Sequence, residues 1–176
     1  WTAHYPHTKA LAEKMVLAAG RQDLQTIALR PHLIWGPGDN HLVPRIIQRA
    51  RRLRRIGHGR NRVDTIYIDN AAEAHLLAAV ALLNRPELSG KVYFISQDDP
   101  IPLWEMVDAI LAAADLPPLT RSVSTTAAKR IGRMMEWIYR IFRLAGEPPM
   151  TRFVAEELAT EHWFDIRAAK TDLGYQ

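Results

Sequence analysis

Tyr5 and Lys9 stand four residues apart at the head of a segment, Thr8 to Ala19, that is rich in Ala, Leu, Lys and Glu and closes at Gly20. That composition favours helix, and residues four apart in a helix share a face one turn apart. Pro6 is compatible with a helix start, because first-turn amides have no intrahelical partner. A free phenol titrates near ~10 and is a weak acid–base catalyst at neutral pH. An ammonium group beside it favours the phenolate, each unit of lowering corresponding to about 1.4 kcal/mol. Such a pair can protonate the alkoxide that forms as hydride reaches a ketone carbon, with Tyr5 as the acid. Lys9 can also donate to the hydroxyls of a cofactor ribose. The same spacing equally describes a surface tyrosine beside a solvated lysine, so the surrounding elements must decide.

Those elements alternate. Gln25 to Leu29 reads as a short strand stopped by Arg30-Pro31, followed by a loop through Gly36-Pro37-Gly38-Asp39. Leu42 to Leu53 has helical periodicity, with Ile46, Ile47, Ala50 and Leu53 on one face. Val63 to Ile68 reads as a strand, Asp69 or Asn70 as the cap of a long Ala/Leu helix to about Leu83, and Lys91 to Ile95 as another strand. Helix and strand in alternation are the mark of parallel βαβ units. After Leu103 to Ala114 the chain becomes mostly helical. Pro117-Pro118 and Pro148-Pro149 bracket a helical segment, Ala127 to Ala145, and a short strand at His162 to Phe164 leads to a last helix, Ile166 to Leu173, with Gly174 as its C-cap. The boundary between the two styles falls near Ser96.

Composition narrows the class. The chain has 176 residues, 48% hydrophobic and 24% charged, which excludes a disordered or fibrous protein. No apolar run approaches the ~20 residues of a membrane span, and the opening Trp-Thr-Ala-His-Tyr does not read as a signal peptide. Cysteine is absent, which excludes disulfides and a Cys nucleophile and fits a cytoplasmic location. The seven His form no His-x-x-x-His pair, so no metal site is expected. A net charge of +4 points to anionic partners: a phosphorylated cofactor, a carboxylate substrate, an acidic membrane surface or nucleic acid. Nucleic acid is not expected, since no aromatic platform is interleaved with Arg49, Arg51, Arg52, Arg54 and Arg55; these read as a solvated helix face. In residues 127–145, Ile131, Met134, Met135, Ile138, Ile141 and Phe142 make an apolar stripe, and Lys129, Arg130, Arg133, Arg140 and Arg143 occupy other faces. That pattern suits an interfacial helix touching a membrane, a protein partner or a lipid-like substrate, and equally a core-packing helix. Trp104, Trp137 and Trp163 read as core residues first and as walls of a substrate cavity second, and His32, His41 and His75 as packing or hydrogen-bonding residues.

Three segments carry a resemblance. Tyr5-Pro-His-Thr-Lys9, Leu29-Arg-Pro-His-Leu-Ile-Trp-Gly-Pro-Gly-Asp39 and Tyr67-Ile-Asp-Asn-Ala-Ala-Glu-Ala-His75 occur in the order and spacing of the extended short-chain dehydrogenases. The chain most resembles their 3β-hydroxysteroid dehydrogenase branch. Pro102-Leu-Trp-Glu105, Pro149-Met-Thr-Arg-Phe153, His162-Trp-Phe-Asp165 and Asp172-Leu-Gly-Tyr175 are similar to the bacterial 2-alkyl-3-oxoalkanoate reductases of olefin biosynthesis. Sterol-4α-carboxylate dehydrogenases look similar, less closely.

The resemblance implies an α/β fold: the C-terminal part of a Rossmann-like doubly wound parallel sheet, in residues 1–96, and a smaller, mostly helical substrate domain, in 97–176, with an inserted substrate-side segment near 37–62. It makes Tyr5 the catalytic acid and Lys9 its tuning and ribose-binding partner. Pro31, His32, Leu33 and Ile34 would lie against the nicotinamide end of NADP or NAD, where open α/β sheets place their ligands. The implied reaction is reduction of a hydrophobic ketone, a long-chain 2-alkyl-3-oxoalkanoate, with a 3β-hydroxysteroid or sterol dehydrogenase as the enzymatic rival. A non-catalytic cofactor-sensing or scaffold module is the rival from another class. Homodimerisation and membrane association are left open. The family's glycine-rich phosphate loop and its catalytic Ser or Thr are expected upstream, so the chain reads as an N-terminally truncated fragment whose activity belongs to an intact parent. Gly57-His58-Gly59 leads into a strand rather than a helix and does not replace that loop.

Overall fold

The computed structural model describes residues 4–21, 23–146 and 148–176, with His4 and Tyr5 described by backbone alone. In chain order the first elements are α1 (His4–Ala19), β1 (Ala28–Pro31), β2 (Ile34–Trp35), α2 (Leu42–Arg49), β3 (Arg55–Ile56), β4 (Arg62–Val63), β5 (Ile66–Tyr67) and α3 (Ile68–Asn84). A 3-10 turn at Pro86–Leu88 follows, then β6 (Val92–Ile95), β7 (Ile101–Pro102), α4 (Leu103–Ala113), β8 (Ser122–Val123), α5 (Thr125–Ile141), α6 (Arg152–Glu157) and α7 (Arg167–Leu173). The chain forms two compact units. One comprises residues 1–39, 64–100 and 164–176, and the other comprises 40–63 and 101–163.

The first unit is built on parallel pairing. β1 runs parallel to β6, in register from Ala28 opposite Val92 to Pro31 opposite Ile95. β2 runs parallel to β5. Helix α3 crosses between them and buries Ala71, Ala74, Ala78 and Ala81. Their three- and four-residue spacing puts four methyl groups on one face, and such small side chains let the helix lie close on Tyr93 and Ile95 of β6. Ile166, Ala169, Leu173 and Tyr175 complete that core.

The first strand departs from its expected place. It spans Ala28–Pro31, not residues 25–29, and Pro31 belongs to it. The reason lies in the ladder. Ala28 and His32 donate their amides to the Lys91 and Ile95 carbonyls, so even-numbered amides face β6. The nitrogen of Pro31 points to the other edge, where no ladder bond is lost. The expected caps of α3 also differ. Neither Asp69 nor Asn70 caps the helix; the N-cap is Tyr67, whose amide donates to the Gln97 side-chain oxygen at 3.1 Å. The closing segment differs most from a single division at Ser96. Residues 164–176 pack into the first unit, because Ile166, Ala169, Leu173 and Tyr175 are buried there and the Tyr175 hydroxyl donates to the Ser96 carbonyl at 3.0 Å. Burial of side chains the size of Ile or Leu is worth about 1.5–3 kcal/mol each. Gly174 closes α7 as expected, in the left-handed region at φ 70°.

The second unit pairs β3 with β8 in parallel and β4 with β7 antiparallel, and packs α2 on α4 and α5 on α6. Its core includes Ile56, Val63, Leu103, Trp104, Val107 and Leu111. Asn61, almost fully buried, ties three segments together: its side-chain amide donates to the Leu158 and Thr160 carbonyls, and its own carbonyl accepts from Leu103. The expected strand at 162–164 is reduced to one bridge between Val63 and His162. Ser124 and Thr151 cap α5 and α6 by accepting from the amides of Ala127 and Val154. The two helices meet at Gly132, where a Cβ would lie 2.6 Å from the Thr151 carbonyl carbon.

Trp104 is core, as the sequence suggests. Trp137 and Trp163 are not; they are 62% and 53% exposed. α5 packs inward through Ala128 and Gly132; of its apolar stripe Ile131, Met134, Ile141 and Phe142 are exposed, and Met135 and Ile138 are half-buried.

Candidate active site

Three ionisable positions, Tyr5, Lys9 and Glu13, follow one another at four-residue steps along α1. At 100° per residue each step drifts by only about 40°, so the three positions share one side of the helix. The Tyr5 side chain lies outside the described residues. Lys9 is exposed. Glu13 is engaged: its two carboxylate oxygens accept from Arg30 Nε at 2.8 Å and from an Arg30 terminal nitrogen at 2.6 Å. That forked contact holds the Glu13 carboxyl below its usual range. The Arg30 guanidinium also sits 5.1 Å from the centroid of the Phe94 ring. One arginine therefore joins α1, β1 and β6, one residue before the carboxyl end of β1.

That end carries the next four candidates. Pro31 closes β1. The His32 amide donates to Ile95 at 3.3 Å, and its ring meets Phe164 edge-on at 5.0 Å between centroids. Phe164 in turn stacks on Phe94 at 4.2 Å and 8°, and its amide donates to the buried carboxylate of Asp64 at 3.0 Å. Leu33 has φ 45°, in the left-handed region that costs a non-glycine residue roughly 1 kcal/mol or more. Its carbonyl accepts from Ile66 at 3.3 Å, so this strained residue moves the chain from β6 as neighbour to β5. Ile34 is 39% exposed. Beside it, the Trp35 indole N–H donates to Thr65 Oγ1 at 3.3 Å and its ring meets Tyr67 edge-on at 5.1 Å. Gly36 follows at φ 132°, and a Cβ there would lie 2.7 Å from the Ile68 side chain.

Pro31, His32, Leu33 and Ile34 thus run from the carboxyl end of β1, which pairs with β6, into the first residue of β2, which pairs with β5. Near the same edge, Gln97 accepts from the Tyr67 amide and, at 2.7 Å, from the Asn70 side chain. Sequence reading did not find Glu13, Arg30, Gln97 or Phe164. Glu13 continues the four-residue series of Tyr5 and Lys9 and could have been found; the other three depend on contacts between distant segments.

Other candidates separate. Gly57-His58-Gly59 forms the turn between β3 and β4, with both glycines at positive φ and His58 Nδ1 accepting from the Arg60 amide; no helix follows it. The arginine run disperses, since Arg55 pairs with Asp108 and Arg54 bonds the Leu53 carbonyl, while Arg51 and Arg52 are exposed. Among the described residues no group of three or more His, Asp or Glu side chains could hold a metal ion. No helix among them is long and apolar enough to cross a membrane.

Residues 1–123 match the family described as 3-beta hydroxysteroid dehydrogenase/isomerase. A 2-alkyl-3-oxoalkanoate reductase of Stenotrophomonas maltophilia is 52% identical over 175 residues, covering 98% of this chain and 53% of the relative. A sterol-4-alpha-carboxylate 3-dehydrogenase of Schizosaccharomyces pombe is 36% identical over 176 residues, covering 97% of this chain and 51% of the relative. Among solved structures, a dTDP-glucose 4,6-dehydratase of Bacillus anthracis in complex with NAD superposes with a TM-score of 0.58 at 16% identity, over 99% of this chain and 47% of that one. The fold is therefore the Rossmann-like α/β architecture of the extended short-chain dehydrogenases. The chain spans about half the length of the curated relatives it matches.

Proposed function

The chain belongs to the 3-beta hydroxysteroid dehydrogenase/isomerase family, and from that premise we propose that it supplies the Tyr–Lys pair and part of the nicotinamide site of a ketone–alcohol oxidoreductase. The substrate of this reading is a long-chain 2-alkyl-3-oxoalkanoate and the cofactor is NADP, with NAD as its competitor. The observation that carries the proposal is the Glu13–Arg30 fork. It ties the side of α1 that bears positions 5 and 9 to the strand whose carboxyl end holds Pro31–Ile34, the edge at which doubly wound sheets bind their ligands.

The residues present fit one end of a dinucleotide. Leu33 and the exposed Ile34 offer an apolar wall to a nicotinamide ring, and the exposed ammonium of Lys9 suits ribose hydroxyls. Among the described residues neither glycine pair makes a pyrophosphate cradle: Gly57 and Gly59 lead into β4, and Gly36-Pro37-Gly38, before α2, has His41 where the third glycine of the fingerprint would stand. When bound, the reduced nicotinamide supplies a hydride to the carbonyl carbon. Tyr5 gives its phenolic proton to the carbonyl oxygen, completing the alcohol. Lys9 lowers the cost of the phenolate left behind. The Glu13–Arg30 fork keeps α1 in place while the charge moves.

The test is Tyr5→Phe in a polypeptide of the relatives' full length. Ketone reduction should fall by about 10²–10⁴-fold, the usual worth of a positioned proton donor, with cofactor affinity nearly intact. A cofactor sensor would be indifferent to the change. Turnover of 2-alkyl-3-keto acids against 3β-hydroxysteroids decides the substrate, and the sterol reading prevails if only the latter react.

A further inference from the structure

We propose that the indole of Trp35 is the platform on which the alkyl chain of the substrate lies, and that it sets a preference for long chains. The inference rests on the redox reading above and names the residue that recognises the apolar part of that substrate.

Strand register fixes the face on which Trp35 stands. Helix α3 covers one face of both parallel pairs, and Ile66, Tyr93 and Ile95 are buried in the core it forms, with Leu29 packed against them. Side chains alternate along a strand. Thr65 and Tyr67, on either side of Ile66, therefore look to the opposite face, and so does Trp35, the register partner of Tyr67. Arg30, next to the inward Leu29, looks the same way and reaches Glu13 of α1. Trp35 thus shares with α1 the face away from α3. It directly follows Pro31–Ile34, the stretch read as the nicotinamide end of the site. The carbon that receives the hydride must lie against the nicotinamide, so the surface just beyond that stretch is offered to the rest of the substrate.

What the ring offers there is carbon alone. Trp35 is 40% exposed, yet its one polar atom is engaged: the indole N–H donates to Oγ1 of the buried Thr65 at 3.3 Å. An indole has one donor and no acceptor. A methylene chain laid on this ring leaves water, whereas a carboxylate or hydroxyl laid on it loses its hydrogen bonds and finds no replacement. The ring is also fixed in advance. Tyr67 meets it edge-on at 5.1 Å between centroids. The backbone at Gly36 lies so close behind that a Cβ there would stand 2.7 Å from Ile68 Cγ2 and 2.9 Å from the Tyr67 ring. A side chain already held in one place loses little rotamer freedom when a ligand settles on it.

The experiment places substitutions in the full-length polypeptide used for Tyr5→Phe and turns over 2-alkyl-3-oxoalkanoates that differ only in chain length. For the parent, kcat/KM should rise by about four-fold for each methylene that reaches the indole. W35A should flatten that rise, with a loss that grows along the series to about 10–100-fold at the longest homologue. The loss should fall mainly on KM, because the chain is held alike before and during hydride transfer. W35F keeps a ring and gives up only the N–H, so it should retain part of the slope. A readout apart from turnover is tryptophan emission: the alcohol product of a long homologue should change it in the parent, and W35F should lose most of that response. The inference is overturned, with the redox reading left standing, if the parent is indifferent to chain length or W35A keeps the whole preference. A W35A loss equal at every length overturns it too, since that is damage to the fold and not recognition of the chain, as does an emission response undiminished in W35F. A parent that reduces no ketone of the series removes the redox reading and this inference with it.

Discussion

Replacing Gly132 by alanine sets two opposed effects against each other, and the geometry says which wins. In an exposed helix interior the change stabilises by about 1 kcal/mol, because alanine restricts the unfolded chain and favours the helix. At Gly132 the new Cβ would lie 2.6 Å from the carbonyl carbon of Thr151, 2.7 Å from the Arg152 nitrogen and 2.8 Å from the Thr151 oxygen. Carbon pairs are comfortable near ~3.5–4.0 Å, so the first turn of α6 must retreat by roughly 1 Å. The obstructing atoms are all backbone, and no rotamer change relieves them. Overpacking of this kind costs about 1–3 kcal/mol. The retreat also pulls Arg152 from Glu136, an exposed contact worth at most ~1 kcal/mol. The expected net is a loss of about 1–2 kcal/mol, which for a chain of this size lowers Tm by ~2–8 °C. Thermal melting and urea titration both read it. A variant that melts higher than the parent would refute the close crossing, because that is how an unobstructed helical glycine behaves.

Glu13→Gln should leave Tm nearly unchanged, since an exposed ion pair is worth about 1 kcal/mol at most. In a full-length enzyme it should lower kcat by about ten-fold or more through misplacement of α1, with KM little moved; an unaltered kcat would remove Glu13 as a positioning residue. Asn61→Ala deprives the Leu158 and Thr160 carbonyls of their buried donor and should cost about 2–4 kcal/mol by denaturant titration; Asn61→Asp, which cannot donate, should cost no less. Hydrogen bonds from Lys91 and then Tyr93 hold the Asp172 carboxyl below its usual range. A depressed carboxyl contributes stability above its unfolded value near ~4 and loses it as pH falls through the folded one, so Asp172→Asn should flatten the acid limb of Tm against pH. Burial, then Asp172, pushes the Tyr93 phenol well above its usual value. That contribution is present below ~10 and is lost as pH rises beyond it, so Tyr93→Phe should flatten the alkaline limb instead.

What could be read from the sequence was what repeats locally. The Ala/Leu run after Asn70 declares α3 a helix and the alternation of helix and strand declares parallel pairing, while the structure picks out which alanines are buried, since Ala72 and Ala79 are exposed. The same local logic failed wherever distant segments meet. Gln97 caps α3 from a loop 30 residues beyond Tyr67, and a run beginning Asp69-Asn70 looks self-sufficient without it. Arg30 reads as a strand terminator until Glu13 is seen opposite it. Residues 164–176 return to the first unit because its core leaves room for Ile166 and Leu173, which no boundary near Ser96 reveals. Trp137 misled for a related reason. Periodicity reports that α5 has an apolar face; it does not report that Gly132 and Ala128 already serve the packing.

The stretch Pro31–Ile34 shows how a site can be built where secondary structure gives out. Up to Pro31 the backbone is paired with β6, and the His32 amide still donates to Ile95; from Ile34 onward it is paired with β5. Between the two, the ladder cannot be satisfied on both sides at once. Proline removes one donor at the point where it would face away from β6. Leu33, held at φ 45°, reverses the local turn so that its own carbonyl can reach Ile66. A backbone held by neighbours on both sides of a break does not drift, yet its side chains are released from the sheet's packing and reach its open edge. The exposure of Ile34 follows from that release, as does the freedom of His32 to settle on Phe164 instead of under a helix. Rigidity of the main chain and availability of the side chains then have the same cause, which is the change of strand partner at Leu33.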